Sequence, residues 1–241
     1  MLSGLAKRWL RYYYGLCDLV TVPSETTKQQ LIRDGFKVRM EVVSNGVDTK
    51  RFNQKKFDKK LKQTICPKGE LFVLYVGRIT KEKNIDFIIK NFPHTDFKLV
   101  ITSDGPYREG LEKLVSKLGV EKNVVFTGYL SKNSLDDFYS LADIFVMASK
   151  TETQGMVLIE AALRKLPTVV LGYPVIGDFV KENGTGLVAS EGDFSDAIES
   201  AYKERKKFMN NCLKAAKKYD IKKCTKQLIS VYENAINSHK K

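Results

Sequence analysis

Residues 143–161, DIFVMASKTETQGMVLIEA, join two apolar runs through a short polar turn. The first run is rich in β-branched and aromatic residues, which predicts a buried strand over 143–147. Gly155 lets the backbone turn sharply, and the second run predicts a helix over 155–165. Glu152 then follows the strand's carboxyl end and Glu160, eight positions later, lies on the helix. The stretch therefore predicts a strand–turn–helix unit with two carboxylates beside its turn.

The same strand–helix alternation recurs along the chain. It favours an α/β fold: a Rossmann-like, doubly wound parallel sheet with helices on both faces. Ligands of such sheets bind at the carboxyl ends of the strands, near a switch point of the strand order. The further predicted strands cover 18–22, 38–43, 71–76, 97–102, 123–127 and 167–171, and the further predicted helices cover 84–91, 107–118 and 131–140, with lysine-rich helices near the carboxyl end.

A turn signal at 44–48, SNGVD, interrupts the alternation and is followed by a charged, weakly periodic stretch. We place a domain boundary there. The expected organisation is the tail end of a domain over 1–47, a charged linker over 48–69, the main α/β domain over 70–205, and basic helices over 206–241.

Composition narrows the function classes. The 241 residues carry a net charge of +13, so an anionic partner is expected, with phosphates, nucleic acid and acidic lipids all open. No apolar run approaches a membrane-spanning helix and the amino terminus lacks a signal peptide. The cysteines are scattered without a CxxC pair, which favours reduced thiols in a cytoplasmic protein over disulfides or zinc. They are Cys17, Cys66, Cys212 and Cys224.

Several residues are expected to meet at the predicted crevice. The helix that begins near Gly155 points free N–H groups at it, which makes an anion site. Arg78 and Lys83 follow the strand LFVLYV and could pair with a diphosphate, and Glu160 could accept hydrogen bonds from sugar hydroxyls. The alternative is a capped helix with a solvated glutamate. Glycines 77, 105 and 128 end three strands, but loops use glycine in any case.

The order of these motifs resembles the carboxyl-terminal, donor-binding half of retaining glycosyltransferases with the GT-B fold, of the group 1 or family 4 type. The matching pieces are VTVPSE at 20–25, SNGVD at 44–48, VGRITKEKN at 76–84, DGP at 104–106, FTGYL at 126–130, SKTETQGMVLIEA at 149–161 and VIGDFVKENGTGLV at 175–188. The form TETQG is similar to bacterial glucosyltransferases that act on diacylglycerol.

The resemblance implies a role for each matching residue. Arg78 and Lys83 would neutralise the donor's diphosphate, Glu160 would hold its ribose, and Glu152 would contact the transferred sugar, so that Arg78, Lys83 and Glu152 form the catalytic set. The implied donor is UDP-glucose or another nucleotide-sugar donor, and the implied acceptor is a lipid or glycan. The other implied donor-binding residues are Gly77, Gly105, Tyr129, Leu130, Gln154, Gly155 and Met156.

The chemistry agrees with these roles. The departing nucleoside diphosphate carries negative charge, which fixed cations and a helix N-terminus stabilise. Because the sequence has no Asp-x-Asp, we expect a metal-independent reaction without a cofactor. Apart from the tail end at 1–47, the family's acceptor domain and its catalytic histidine have no counterpart here. We therefore expect a donor-binding fragment, a truncated gene product or a subunit completed by a partner that supplies the N-terminal half, and we do not expect normal transfer by this chain alone.

Two lysine clusters, at 50–68 and 202–226, allow two interpretations of the basic surface. A run of charge is usually a solvated face, but these lysines interleave with apolar residues, as in basic surfaces that meet an anionic membrane surface. We therefore expect a cytoplasmic protein, peripheral on the inner face of the cell membrane. A nucleic-acid-binding protein is the minor alternative, and no nucleic acid is expected because no recognition motif accompanies the charge.

Overall fold

The computed structural model describes residues 4–50 and 59–239. In chain order its elements are α1 (Gly4–Gly15), β1 (Val20–Val22), α2 (Glu25–Arg33), β2 (Met40–Val42), α3 (Lys59–Ile65), β3 (Leu71–Val76), α4 (Ile85–Asn91), β4 (Phe97–Thr102), α5 (Arg108–Leu118), β5 (Val124–Gly128), α6 (Lys132–Leu141), β6 (Ile144–Met147), α7 (Met156–Leu163), β7 (Thr168–Leu171), α8 (Ile176–Asn183), β8 (Gly186–Ala189), α9 (Phe194–Lys203), α10 (Arg205–Ala216) and α11 (Ile221–His239).

The chain forms two compact units. One comprises Met1–Asp48 and Lys218–Lys241, and the other comprises Thr49–Lys217. The basic segment expected over 206–241 is therefore divided, because α10 belongs to the larger unit and α11 to the smaller one.

The larger unit contains a six-stranded parallel sheet with the order β5-β4-β3-β6-β7-β8. The chain runs outward from β3 to β5, returns to β6 on the other side of β3, and runs outward again to β8. The order reverses between β3 and β6, which confirms the predicted doubly wound sheet and makes the carboxyl ends of these two strands a switch point.

The central strands read as continuous apolar runs because helices cover both faces of the sheet. Every residue of β6 is buried, as are five of the six residues of β3. One large core, which includes Val73, Ile88, Leu99, Val146 and Phe194, joins the sheet to its helices. This core holds the loops at the carboxyl ends of the strands on a rigid base.

Some elements were missed in the sequence. β8 follows Gly184 and begins at Gly186, a glycine-rich stretch that is typical of a turn, yet it pairs along all of β7. A side chain at Gly186 would overlap with the backbone carbonyl of Thr168, so the glycine permits a strand there.

Within the expected linker 48–69, Lys59–Ile65 forms α3, and Lys62 forms an ion pair with Asp143 at 2.8 Å. Residues 51–58 of that linker and of the first lysine cluster lie outside the described residues.

The smaller unit pairs β1 with β2 in parallel, with Thr21 opposite Glu41. A small buried cluster joins Val22 of β1, Met40 of β2 and Phe36. The long helix α11 is tied to the same unit, because the Val47 amide donates to the carbonyl of Tyr219 and the Ile221 amide donates to that of Val47.

None of the helices within 4–50 and 59–239 combines the length and apolar content that would let it cross a membrane.

Candidate functional site

The loops that follow β3 and β6 are bound to each other at the switch point. Lys83 Nζ donates to Glu152 Oε1 at 2.6 Å, and the two side chains are 21% and 16% exposed. A second tie runs through the backbone, where the Lys150 amide donates to the Glu82 carbonyl at 3.1 Å. Arg78 is exposed beside them in the β3 loop. Two of the three predicted catalytic residues are thus in contact, and the third follows the same strand.

Tyr75 lies beneath this ion pair. Its side chain is fully buried, and its hydroxyl is 3.5 Å from the Arg78 carbonyl. Burial, and then the carboxylates of Glu152 and Glu82, raise the pKa of Tyr75 far above its usual value. A side chain at Gly77 would come within 2.9 Å of the Tyr75 hydroxyl oxygen. The close approach of the tyrosine hydroxyl therefore accounts for this glycine.

Gly155 makes the turn from β6 into α7. It adopts φ 71°, the left-handed conformation that glycine tolerates, and no side chain caps the helix from that position. Gln154 is buried in the turn, and Met156 is the first residue of the helix. The first N–H groups of α7 therefore begin three residues beyond Glu152, at the same edge of the sheet, where a helix N-terminus favours an anion.

Glu160 lies one turn further along α7 and is half-buried. The Tyr139 hydroxyl, from α6, donates to Glu160 Oε2 at 2.8 Å. Tyr139 was not among the predicted site residues. It follows Phe138 in an apolar helix face, so its sequence context indicates only a core aromatic.

The glycine at 105 has a structural explanation that differs from the expected one. A side chain there would overlap with the Ile79 carbonyl, and the loops after β3 and β4 exchange hydrogen bonds, from Ile79 to Asp104 and from Tyr107 to Ile79. Close approach of the chain to itself thus requires Gly105 without any ligand.

Tyr129 and Leu130 follow β5 at the outer edge of the sheet. The Tyr129 side chain is 75% exposed and Leu130 is half-buried. Their backbone lies at the same sheet edge as the crevice, two strands away from β3.

A strained turn beside β7 had no signal in the sequence. Val175 has φ 65° and ψ −62°, and the Ile176 amide donates to the Pro174 carbonyl across it at 2.8 Å. This is the γ-turn with positive φ, which is rare for a β-branched residue. It turns the chain from β7 directly into α8 at the carboxyl edge of the sheet.

The residues that the structure describes hold no group of three His, Cys, Asp or Glu side chains arranged for a metal ion. Metal independence remains a prediction for the reaction.

Comparison with known proteins gives two family matches. Residues 56–219 match the family model for glycosyl transferases group 1, and residues 1–51 match that for glycosyltransferase family 4. Among curated proteins, an alpha-monoglucosyldiacylglycerol synthase of Streptococcus pneumoniae is 28% identical over 82% of this chain and 47% of its own length. The sulfoquinovosyl transferase SQD2 of Arabidopsis thaliana is 31% identical over 78% of this chain and 38% of its own.

Among solved structures, Anabaena Alr3699/HepE in complex with UDP-glucose superposes with a TM-score of 0.87 at 18% identity, covering 97% of this chain and 68% of that one. A sucrose-phosphate synthase from Thermosynechococcus elongatus has a TM-score of 0.84 at 20% identity, covering 99% of this chain and 65% of that one. These likenesses show the GT-B type of fold. The chain spans about half the length of the curated relatives that it matches.

Proposed function

Because the chain belongs to the group 1 glycosyl transferases, we propose that it binds a nucleotide sugar and serves hexosyl transfer from it, with retention, to a lipid or glycan acceptor. UDP-glucose is the proposed donor. Support comes from the relatives' names, which include a monoglucosyldiacylglycerol synthase, and from the fold shared with a protein solved with UDP-glucose. Other relatives are named GDP-mannose-dependent alpha-mannosyltransferases, so GDP-mannose is the competing donor.

The observation that carries the proposal is the ion pair of Lys83 and Glu152 at the β3–β6 switch point. It puts a cation and a carboxylate beside the start of α7, where a diphosphate and a sugar would meet. Lys83 and Arg78 would stabilise the charge that develops on the leaving diphosphate. Glu152 would accept hydrogen bonds from the sugar hydroxyls, and Glu160 would hold the ribose.

The resting ion pair suggests how the donor enters. Lys83 would exchange its carboxylate partner for a phosphate oxygen, and Glu152 would then accept a sugar hydroxyl in place of the lysine. Neither charge is left without a partner during this exchange, which limits the desolvation cost of binding.

Acceptor binding is proposed to need more than these residues. The chain aligns with about half of its curated relatives' length, and the acceptor site is proposed to come from sequence outside the 241 residues, in the same polypeptide or in a partner. A non-catalytic nucleotide-sugar module is the alternative. Once an acceptor-binding part is added, a transferase would turn over donor and acceptor, whereas a non-catalytic module would only bind the donor.

A thermal-shift screen of UDP, GDP, UDP-glucose and GDP-mannose tests donor binding directly. We expect a rise in melting temperature with uridine compounds that grows with ligand concentration. If only GDP and GDP-mannose stabilise the protein, the proposed donor is a guanosine nucleotide sugar and not a uridine one. Stabilisation by none of the four would contradict the proposed function.

We also propose that the lysines of α10 attract an acidic membrane, which would keep the protein on the inner face of the cell membrane near a lipid acceptor. Lys206, Lys207 and Lys214 are exposed on this helix, and each lysine near an acidic bilayer contributes on the order of 1 kcal/mol. Binding should therefore be reversible and weakened by salt.

Vesicle sedimentation tests this surface. We expect binding to phosphatidylglycerol vesicles, little to phosphatidylcholine, and a marked loss when the three lysines are replaced with glutamine. Lys113→Gln with Lys117→Gln, two exposed lysines of α5, is the control, compared with Lys206→Gln with Lys207→Gln so that the charge removed is equal. Equal binding to both lipids would contradict an electrostatic membrane surface. If the protein instead binds nucleic acid in a gel-shift assay, with an affinity that falls as salt rises, the minor alternative of a nucleic-acid-binding protein would be favoured.

A further inference from the structure

We propose that Tyr139 is a positioning residue that orients Glu160 for recognition of the nucleotide's ribose. The inference rests on the proposed function and deepens it, because it names what holds one of the proposed donor contacts in place. The observation is the 2.8 Å hydrogen bond from the Tyr139 hydroxyl to Glu160 Oε2.

The tyrosine itself is held rigidly. Its side chain is 1% exposed, and its ring stacks on Phe145 of β6 with centroids 6.1 Å apart and an interplanar angle of 23°. A buried phenol needs a hydrogen-bond partner for its hydroxyl. Tyr139 directs that hydroxyl at a carboxylate on the neighbouring helix α7, so the packing of the ring fixes the direction from which Glu160 receives a proton donor.

This contact leaves room for a ligand. A carboxylate has two oxygens that together accept about four hydrogen bonds, and the Tyr139 hydroxyl uses one of these positions, on Oε2. A carboxylate fixed before the ligand arrives loses less side-chain freedom on binding than one that rotates freely. The hydroxyl of Tyr139 therefore favours ribose binding without touching the nucleotide.

The ring and the hydroxyl have separable roles. Phenylalanine at 139 would keep the stacking on Phe145 and the buried volume, and would lose only the donor to Glu160. A purely structural tyrosine would then affect all ligands equally. A positioning tyrosine would affect ligands according to whether they carry ribose hydroxyls.

Calorimetric titration with UDP and with 2′,3′-dideoxyuridine diphosphate, which lacks both hydroxyls, tests this distinction. We expect wild type to prefer UDP, and Tyr139→Phe to weaken UDP by about three- to tenfold, the net scale of one ordinary hydrogen bond, with dideoxy-UDP unchanged. In a Glu160→Ala background, which removes the acceptor of this hydrogen bond, Tyr139→Phe should cause no further loss. Tyr202→Phe, which removes a phenol hydroxyl from α9, is the control and should bind both ligands as wild type does.

Three results would overturn the inference. Wild-type discrimination in Tyr139→Phe, together with its loss in Glu160→Ala, would leave the proposed function intact and remove Tyr139 from it. Equal weakening of both ligands in Tyr139→Phe would make the tyrosine structural only. A wild-type protein that binds UDP but does not prefer it over dideoxy-UDP would refute the ribose contact of Glu160 itself, and with it the role of Tyr139.

Discussion

Lys83 Nζ lies 2.6 Å from Glu152 Oε1, although 69 residues separate the two in sequence. One follows β3 and the other follows β6, the two adjacent strands between which the sheet reverses its order. The contact therefore joins the two halves of the doubly wound sheet at the edge where its ligand is expected.

This ion pair should contribute measurably to stability. Its side chains are mostly buried, so its coupling should exceed that of an exposed pair, at about 1 to 2 kcal/mol. A double-mutant cycle of Lys83→Met and Glu152→Gln, followed by urea unfolding, measures this coupling. Strictly additive effects of the two substitutions would show that the pair is not coupled in solution.

Gly105→Ala should destabilise the larger unit without any ligand present. The added carbon would overlap with the Ile79 carbonyl, and such overpacking costs about 1 to 3 kcal/mol. Urea unfolding of the free protein measures the loss. Gly192→Ala, where nothing lies within 4 Å of the added carbon, is the control. Wild-type stability combined with weaker UDP binding in Gly105→Ala would instead restore the ligand as the reason for this glycine.

Gly46→Ala should loosen α11 within the smaller unit. The added carbon would lie 2.5 Å from the Ile221 Cα, next to the hydrogen bonds that Val47 exchanges with Tyr219 and Ile221. We expect faster hydrogen exchange at the amides of Val47 and Ile221. Gly15→Ala, in open space on α1, is the control and should leave both exchange rates unchanged. If the Val47 and Ile221 amides exchange equally fast in the two variants, α11 is not held at Gly46.

Stability should fall at alkaline pH partly because of a buried thiol. Burial raises the pKa of Cys212 to about 12, while an unfolded cysteine titrates near 8.5. The folded state therefore favours the neutral thiol, and this contribution is complete below the unfolded pKa and is lost as pH rises toward the folded one.

Urea unfolding of wild type and of Cys212→Ala is measured at about pH 8 and about pH 10.5, on either side of the ordinary thiol pKa. The free energy of unfolding of wild type minus that of Cys212→Ala should be smaller at the higher pH, by about 1 kcal/mol or more. Cys17→Ala, at an exposed thiol, is the control. A difference between wild type and Cys212→Ala that is independent of pH would contradict the raised pKa.

The fold could be predicted from the sequence where apolar runs were continuous. β3 and β4 have the predicted bounds, because both are buried on two faces and bounded by clear turns. β8 was missed because its four residues begin at Gly186 and are only partly buried. α3 was missed because three of its seven residues are lysines, and the contact of Lys62 with Asp143 gives a reason for its packing.

Some residues of the candidate site could likewise be predicted from the sequence, and others could not. Because the carboxyl ends of parallel strands lie at one edge of a sheet, the strand predictions put Lys83 and Glu152 at the same edge, and the resemblance to the family gave their implied roles. The sequence carries no comparable signal for Tyr139, whose hydroxyl reaches another helix, or for the positive φ of Val175. Both depend on packing between elements that are distant in the chain.

Isothermal titration of UDP into wild type, Lys83→Met and Lys81→Met tests the central claim, that the crevice between β3 and β6 binds the diphosphate of a nucleotide donor. Lys81 and Lys83 belong to the same short helical turn, but only Lys83 pairs with Glu152. We predict that Lys83→Met weakens UDP by about tenfold or more, the scale of a charge-assisted hydrogen bond, while Lys81→Met keeps wild-type affinity. Equal affinity for UDP in all three proteins would contradict the account.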